Sequence, residues 1–508
     1  MQNDEPDRTS CFRDVPFLLI LAAGIALRFI ALGRQSFCYD EIDSVTTAWA
    51  VEEWGWGVLA LNTHGPLYLI LLKGWMVLFG HGESAVRVLS AIIGSLGLIL
   101  FHRVSMRFIG RNASLIALAL LAFSPFHLWY SQYARNYILL LNMGLLAVPA
   151  IAIEVERRTK GSFLLAFAAV AATCLTNLSG FFLFVIFGVY ALAFGRPSRY
   201  PVRRLALFFV LSAALLWPWV LEGTKATGQF HLGRPDDDSG VAAIKGDAPP
   251  GLLSVPFTIY NFSLGYSLGP SNDELKIRRF PGLVPHLWYL LPAAALFGAV
   301  ALRGLLRTRR QARLLLFLWL AVPVLMMLAL SVFNLKAPNS RYAFLAYAPY
   351  LFVIAVGVHS IKSRVLKASV LALLLMYMGY SDYRYFTDPS YRRPDVKSAG
   401  ELISRRLQPD DAVVAYAQKY IRFYLPPDIN LLKPPDRFFS SEETMEGWLR
   451  RNTAGAKRVW IVPLRGWWVD REDRFPDVCR KLLIQQGEWH FTSLPIYLFE
   501  TPEGWGPE

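Results

Sequence analysis

The strongest constraint on this chain is the stretch PFLLILAAGIALRFIAL (16–32), almost wholly apolar, and the return of such stretches as far as residue 382. A membrane-spanning helix needs about 20 apolar residues to cross about 30 Å of hydrocarbon. Candidate spans lie near 15–33, 87–102, 113–129, 136–153, 162–177, 179–195, 205–221, 284–302, 314–332, 342–360 and 366–382. The expected fold is a polytopic α-helical membrane protein of about 11 spans. Composition agrees: 54% of the 508 residues are hydrophobic and only 18% charged, too apolar for an ordinary soluble domain. The net charge of +14 does not indicate nucleic acid, because the basic residues are spread over short loops between apolar runs. The cysteines Cys11, Cys38, Cys174 and Cys479 form no CxxC pair and suggest neither a metal site nor a disulfide framework.

Basic loops write the topology. With the N-terminus inside, the inner loops are RVSMRFIGR (103–111), EVERRTK (154–160), GRPSRYPVRR (195–204), RGLLRTRRQAR (303–313) and KSRVLK (362–367), which satisfies the positive-inside rule. Two stretches need a decision. HGPLYLILLKGWMVLFG (64–80) has an apolar part reaching only about 24 Å and contains Lys73, so it is read as a helix at the outer surface. The long run 162–194 has basic loops on both flanks, so it must cross an even number of times and turns at TNLSG.

This orientation places CYDEIDS (38–44), His64, Arg87, SQYARNY (131–137), the loop 222–283, NSRY (339–342) and residues 383–508 outside. Residues 1–382 form the membrane domain, with outer loops 34–86 and 222–283. Past residue 383 the pattern changes: DAVVAYA (411–417) and KRVWIVPL (457–464) alternate with helix-like stretches such as EETMEGWLRRN (442–452). A small extracytoplasmic α/β domain is expected there. RPDDDSG (234–240), with Asp236, Asp237 and Asp238, reads as a solvated loop tip.

The outer face has neither ATP nor nucleotide sugar. Group transfer there needs a donor with its own leaving group, and a lipid phosphate is one. Such a site needs a carboxylate to accept a proton, for which Asp40 or Glu41 is available. It also needs cations for the departing phosphate, and Arg87, Arg135 and Arg341 are the candidates. Asp43 reads as solvated or supporting.

The motifs YDEIDS (39–44), HGPLYLILLKGWMVLFGHGESAVRVLSA (64–91), SPFHLWYSQYARNY (124–137) and the weaker SRY (340–342) carry a resemblance. Together they resemble the polyprenyl-phosphate-dependent membrane glycosyltransferases of the C-type fold, the protein O-mannosyltransferases and the lipid A aminoarabinose transferases. Gly65 stands where the first proline of that family's pair is usual, and Tyr133 where its SQxAR motif usually has Glu. The resemblance implies Asp40 as catalytic base, Glu41 as its partner, and His64 near the lipid phosphate. It implies Gln132, Arg135 and Tyr137 as substrate-binding, with Arg87 and Arg341. It also implies a polyprenyl-phosphate sugar donor and a lipid, glycan or protein acceptor offering a hydroxyl or phosphate. The reaction would be an inverting displacement at the outer face of a bacterial inner membrane, needing no certain cofactor; a divalent metal beside Asp40 and Glu41 is left open. The rival reading is a transporter or flippase of lipid-linked sugars. Transporters usually show internal repeats and ionisable residues in mid-span, and Arg28 alone is a candidate for the latter.

Overall fold

The computed structural model describes residues 15–55, 57–58, 65–194, 200–227, 251–271, 274, 280–308, 310–333, 338–434, 441–464 and 474–506. His64 and Asp236, Asp237 and Asp238 lie outside the described residues. The chain divides into two compact units. One comprises Met1–Leu32, Ser44–Pro270 and Leu283–Tyr385; the other comprises Gly33–Asp43, Ser271–Gly282 and Phe386–Glu508.

The first unit is helical and makes this a multi-pass membrane protein. Its first helices are α1 (Val15–Phe29), α2 (Tyr39–Trp54, which begins in the other unit), α3 (Pro66–Phe79), α4 (Glu83–Ile109), α5 (Arg111–Ala122), α6 (Pro125–Ser131), α7 (Tyr137–Arg157), α8 (Lys160–Thr176), α9 (Phe182–Phe194) and α10 (Val202–Thr227). The helices Leu287–Arg307, Arg310–Val332, Tyr347–His359 and Arg364–Thr387 follow. Among the described residues seven helices are long and apolar enough to cross a membrane, or eight if the bent pair α5–α6 counts as one span. Shorter apolar helices at Val15–Phe29, Lys160–Thr176 and Leu178–Ala193 stand where three further spans were expected.

Uniformly apolar helices must be buried in protein or face lipid. Those of the first unit separate accordingly. In α4, α7 and Ser340–His359, 61%, 78% and 83% of the apolar window is buried, against 17% in Val202–Leu221 and 22% in Arg364–Thr387. The interior set packs closely because small residues permit it. A Cβ on Gly304 would stand 1.9 Å from Val353 O, and one on Gly357 2.1 Å from Val300 O, so the two backbones meet through reciprocal glycines.

The expected span 113–129 is broken. Pro125 has no N–H and disfavours a helical Ser124, so α5 ends at Ala122 and α6 restarts at Pro125, bent by 59°. The Ser124 hydroxyl accepts from His127 N at 3.0 Å and caps the restart. The TNLSG turn appears between α8 and α9, where Asn177 Oδ1 accepts from Ser179 N at 2.9 Å. α3 has 14 residues, about 21 Å by its rise, too short to span. The end of α7, the start of α8 and the segment entering α10 are joined by a clasp the charge pattern did not show. Fully buried Glu154 accepts from Arg204 Nε, Tyr200 Oη and Ser162 Oγ, each at 2.6 Å.

The second unit contains the expected α/β domain. Its sheet has the order β2-β1-β3-β5-β4, from β1 (Asp411–Ala415), β2 (Asn430–Leu432), β3 (Arg458–Val462), β4 (Ile484–Phe491) and β5 (Leu494–Glu500). β2, β1 and β3 are parallel; β5 and β4 are antiparallel additions. β1 is buried along its whole length, as a parallel strand covered on both faces should be. Met445, Leu449, Phe475 and Cys479 from two helices pack on Val414, Val459 and Phe499 of the sheet. The segment 33–43 belongs to this unit: Ser36 Oγ donates to Asp395 Oδ1 at 3.2 Å, and Phe37 N donates to Tyr424 Oη at 2.8 Å.

Candidate active site

CYDEIDS was expected in the outer segment 34–86, with no secondary structure assigned to it. It is the start of α2, with Asp40 and Glu41 in the first turn, where the unpaired N–H groups and the helix dipole favour negative charge. Glu41 is fully buried and accepts from Cys38 N at 3.1 Å, reaching back over the helix start as a capping-box glutamate does. It also pairs with Arg393, in a buried ion pair. Asp43 accepts from Lys419 Nζ at 2.6 Å, and the same ammonium lies 4.8 Å from the centre of the Tyr39 ring. Asp40 is half-buried. The acidic cluster is thus fitted within its own unit by cations about 350 and more positions away (Arg393, Lys419), a distance in sequence that no local reading could bridge.

Among the described residues no three His, Cys, Asp or Glu side chains group closely enough to hold a metal ion.

The first unit positions the other candidates. Arg87, on α4 and 2% exposed, donates Nη1 to Leu32 O at 2.7 Å. Arg135, 3% exposed in the turn between α6 and α7, donates Nη1 to Ser44 Oγ on α2 at 3.0 Å. Arg341 lies over the Tyr137 ring at 5.4 Å and near Tyr342 at 5.8 Å, so two candidates far apart in sequence meet by a cation–π contact. Tyr137, at the first position of α7, also stacks with Phe344. Gln132 is committed elsewhere: its Nε2 donates to the carbonyls of Leu27, Arg28 and Ile30, and its Oε1 accepts from Tyr385 Oη at 3.1 Å. Gly65 has a steric reason to differ from proline, since a Cβ there would stand 2.0 Å from Leu175 O.

Three buried polar residues escaped the sequence-level site: His127, Asp382 and, in its role, Arg28. Arg28 was visible as a charge in a span. His127 lies within the SPFHLWY motif, and Asp382 closes the last expected span, 366–382.

Residues 63–220 match the family described as dolichyl-phosphate-mannose-protein mannosyltransferase. No curated protein matches the chain in sequence. Its structure is similar to ArnT from Cupriavidus metallidurans bound to undecaprenyl phosphate, with a TM-score of 0.60 and 13% identity over 97% of this chain and 99% of that one. It is also similar to the oligosaccharyltransferase AglB from Archaeoglobus fulgidus in complex with an inhibitory peptide and a dolichol-phosphate, with a TM-score of 0.52 and 14% identity over 96% of this chain and 74% of that one. The expected C-type glycosyltransferase fold is thereby established over nearly the whole chain.

Proposed function

We propose that this chain is a membrane glycosyltransferase that moves a sugar from a polyprenyl-phosphate donor to an acceptor at the extracytoplasmic face. The observation that carries the reading is the family match over residues 63–220, a stretch containing Arg87, Gln132, Arg135 and Tyr137. The shared fold supports it, since solved relatives of that fold hold undecaprenyl phosphate or dolichol-phosphate.

In the proposed reaction the acceptor oxygen attacks the anomeric carbon as the bond from that carbon to the phosphate oxygen breaks. The electron pair leaves with the polyprenyl phosphate, and the sugar inverts. Asp40 takes the proton of an acceptor hydroxyl. Its place in the first turn of α2 suits that task, because the helix N-terminus favours an ionised carboxylate. Arg87, Arg135 and Arg341 offset the charge of the leaving phosphate, by charge-assisted hydrogen bonds that are the stronger kind. Glu41 and Arg393 hold the start of α2 in place. The N-terminus is cytoplasmic and Asp40 faces outward in this reading, as the basic loops direct.

The test is transfer from polyprenyl-phosphate sugars by purified protein. Asp40→Asn should cost about 10²-fold or more in rate, because it keeps the side chain's size and removes the proton acceptor. Asp43→Asn should cost far less. Equal losses in the two variants would remove Asp40 from the role of base. No transfer by the wild type, together with measurable translocation of lipid-linked sugar, would make the protein a transporter.

A further inference from the structure

Arg28 is fully buried in the last turn of α1. A guanidinium inside an apolar helix is costly to keep, so what it binds is informative. Its Nη1 donates to Gly24 O of its own helix and, at 3.1 Å, to Ala122 O; Nη2 donates to Leu121 O at 3.0 Å. Leu121 and Ala122 are the last residues of α5, where the break removes the usual helical donors; Leu121 O still accepts from Ser124 N at 3.3 Å. The same Nη2 lies 2.7 Å from His127 Nδ1 in the first turns of α6. A guanidinium only donates, so Nδ1 accepts and the ring's proton sits on Nε2. Arg28 therefore joins both sides of the 59° bend.

Gln132 returns the arrangement. It follows α6 directly, and its Nε2 donates to Leu27 O at 3.3 Å, Arg28 O at 3.2 Å and Ile30 O at 2.8 Å, carbonyls of the last turn of α1 and of the residue just past it. Carbonyls only accept, so the amide nitrogen faces them and the amide oxygen accepts from Tyr385 Oη at 3.1 Å. Each helix end is closed by a side chain from the other: α1 caps α5, and the residue after α6 caps α1. Cations are favoured at helix C-termini, and Arg28 stands at two of them. Asp382 is buried as well, and among the described residues neither of its carboxylate oxygens has a hydrogen-bond partner.

We propose that Arg28 is a positioning residue: with Gln132 it forms a reciprocal pair of helix caps that fixes the bend between α5 and α6, and so fixes where the segment Gln132–Tyr137 presents Arg135. The inference rests on the reading of Arg135 as a ligand of the donor phosphate. The planar fork matters here, because one guanidinium reaches two carbonyls of α5 and the imidazole together, which a single ammonium cannot.

The experiment measures binding of undecaprenyl phosphate to the purified full-length protein in detergent, for wild type, Arg28→Met, Arg28→Lys, Arg135→Ala and Arg28→Met/Arg135→Ala. Arg28→Met should weaken binding by about tenfold or more, and Arg28→Lys by an intermediate factor. In the Arg135→Ala background Arg28→Met should add less than about twofold, because residues acting through one another are not additive. A merely structural arginine would lower the folded fraction and leave the two losses additive. Wild-type binding in both Arg28 variants, or full additivity with Arg135, overturns the proposal. So does misfolding of both Arg28 variants, which would make the residue structural. Absence of binding by the wild type is a distinct result: it removes the glycosyltransferase reading, and this inference with it.

Discussion

Replacing Glu41 by Gln separates a structural carboxylate from a chemical one. Glu41 is 0% exposed and its partner Arg393 is 9% exposed, so the pair is shielded from water on both sides. The amide keeps an acceptor for Cys38 N, and the start of α2 should lose little from that bond. The guanidinium of Arg393 loses the charge of Glu41 while staying buried. Breaking one side of a buried pair costs on the order of 3–5 kcal/mol, mostly the penalty of the charge left behind. At about 2–4 °C per kcal/mol for a unit of this size, unfolding should move down by roughly 10 °C. The double variant Glu41→Gln/Arg393→Gln removes both charges and should recover at least half of that shift. Thermal unfolding followed by tryptophan fluorescence in detergent, with transfer activity measured well below the transition, gives both readings. If Glu41→Gln unfolds with the wild type yet transfers no sugar, the carboxylate works in the chemistry and the structural argument is wrong.

Three further outcomes are expected. A cysteine at the exposed position Glu401, in the unit that also holds Asp40, should react with an impermeant maleimide in intact cells; labelling only after lysis would put this unit on the inner side. Asp411→Ala should destabilise the sheet domain by about 3 kcal/mol, read as a lower unfolding temperature, because Arg458, Trp460 Nε1 and Gln408 N all donate to that buried carboxylate; an unchanged transition would refute it. Burial pushes the Cys479 thiol up, with Arg480 pulling weakly the other way, so it stays protonated in the fold at mildly alkaline pH. Since the thiolate is the nucleophile, alkylation at pH 8.5 should follow unfolding and not precede it, which peptide mass spectrometry would show.

Much of this protein is legible without coordinates. Apolar runs longer than a bilayer is thick permit few architectures, because backbone groups in hydrocarbon must be satisfied within their own helix. The TNLSG turn, the α/β character past residue 383 and the motif-bearing stretches 64–91 and 124–137 were readable for the same reason: period, length and turn chemistry are local properties. The break at Ser124 and Pro125 was readable in principle, since a proline after a serine carries a stop and a start together, but an unbroken apolar run outweighed it. Other features depended on partners distant in sequence. Glu41 becomes a sealed cap only because Arg393 folds onto it, and Gln132 is drawn to the end of α1 only because α6 brings it there. Arg28 looked like one costly charge in a span; the structure makes it the cap of a helix almost a hundred positions on. A sequence records which groups a chain must satisfy, by the cost of burying them. Which group satisfies which is decided when the helices pack, because a hydrogen bond depends on a few ångströms of separation and not on distance along the chain.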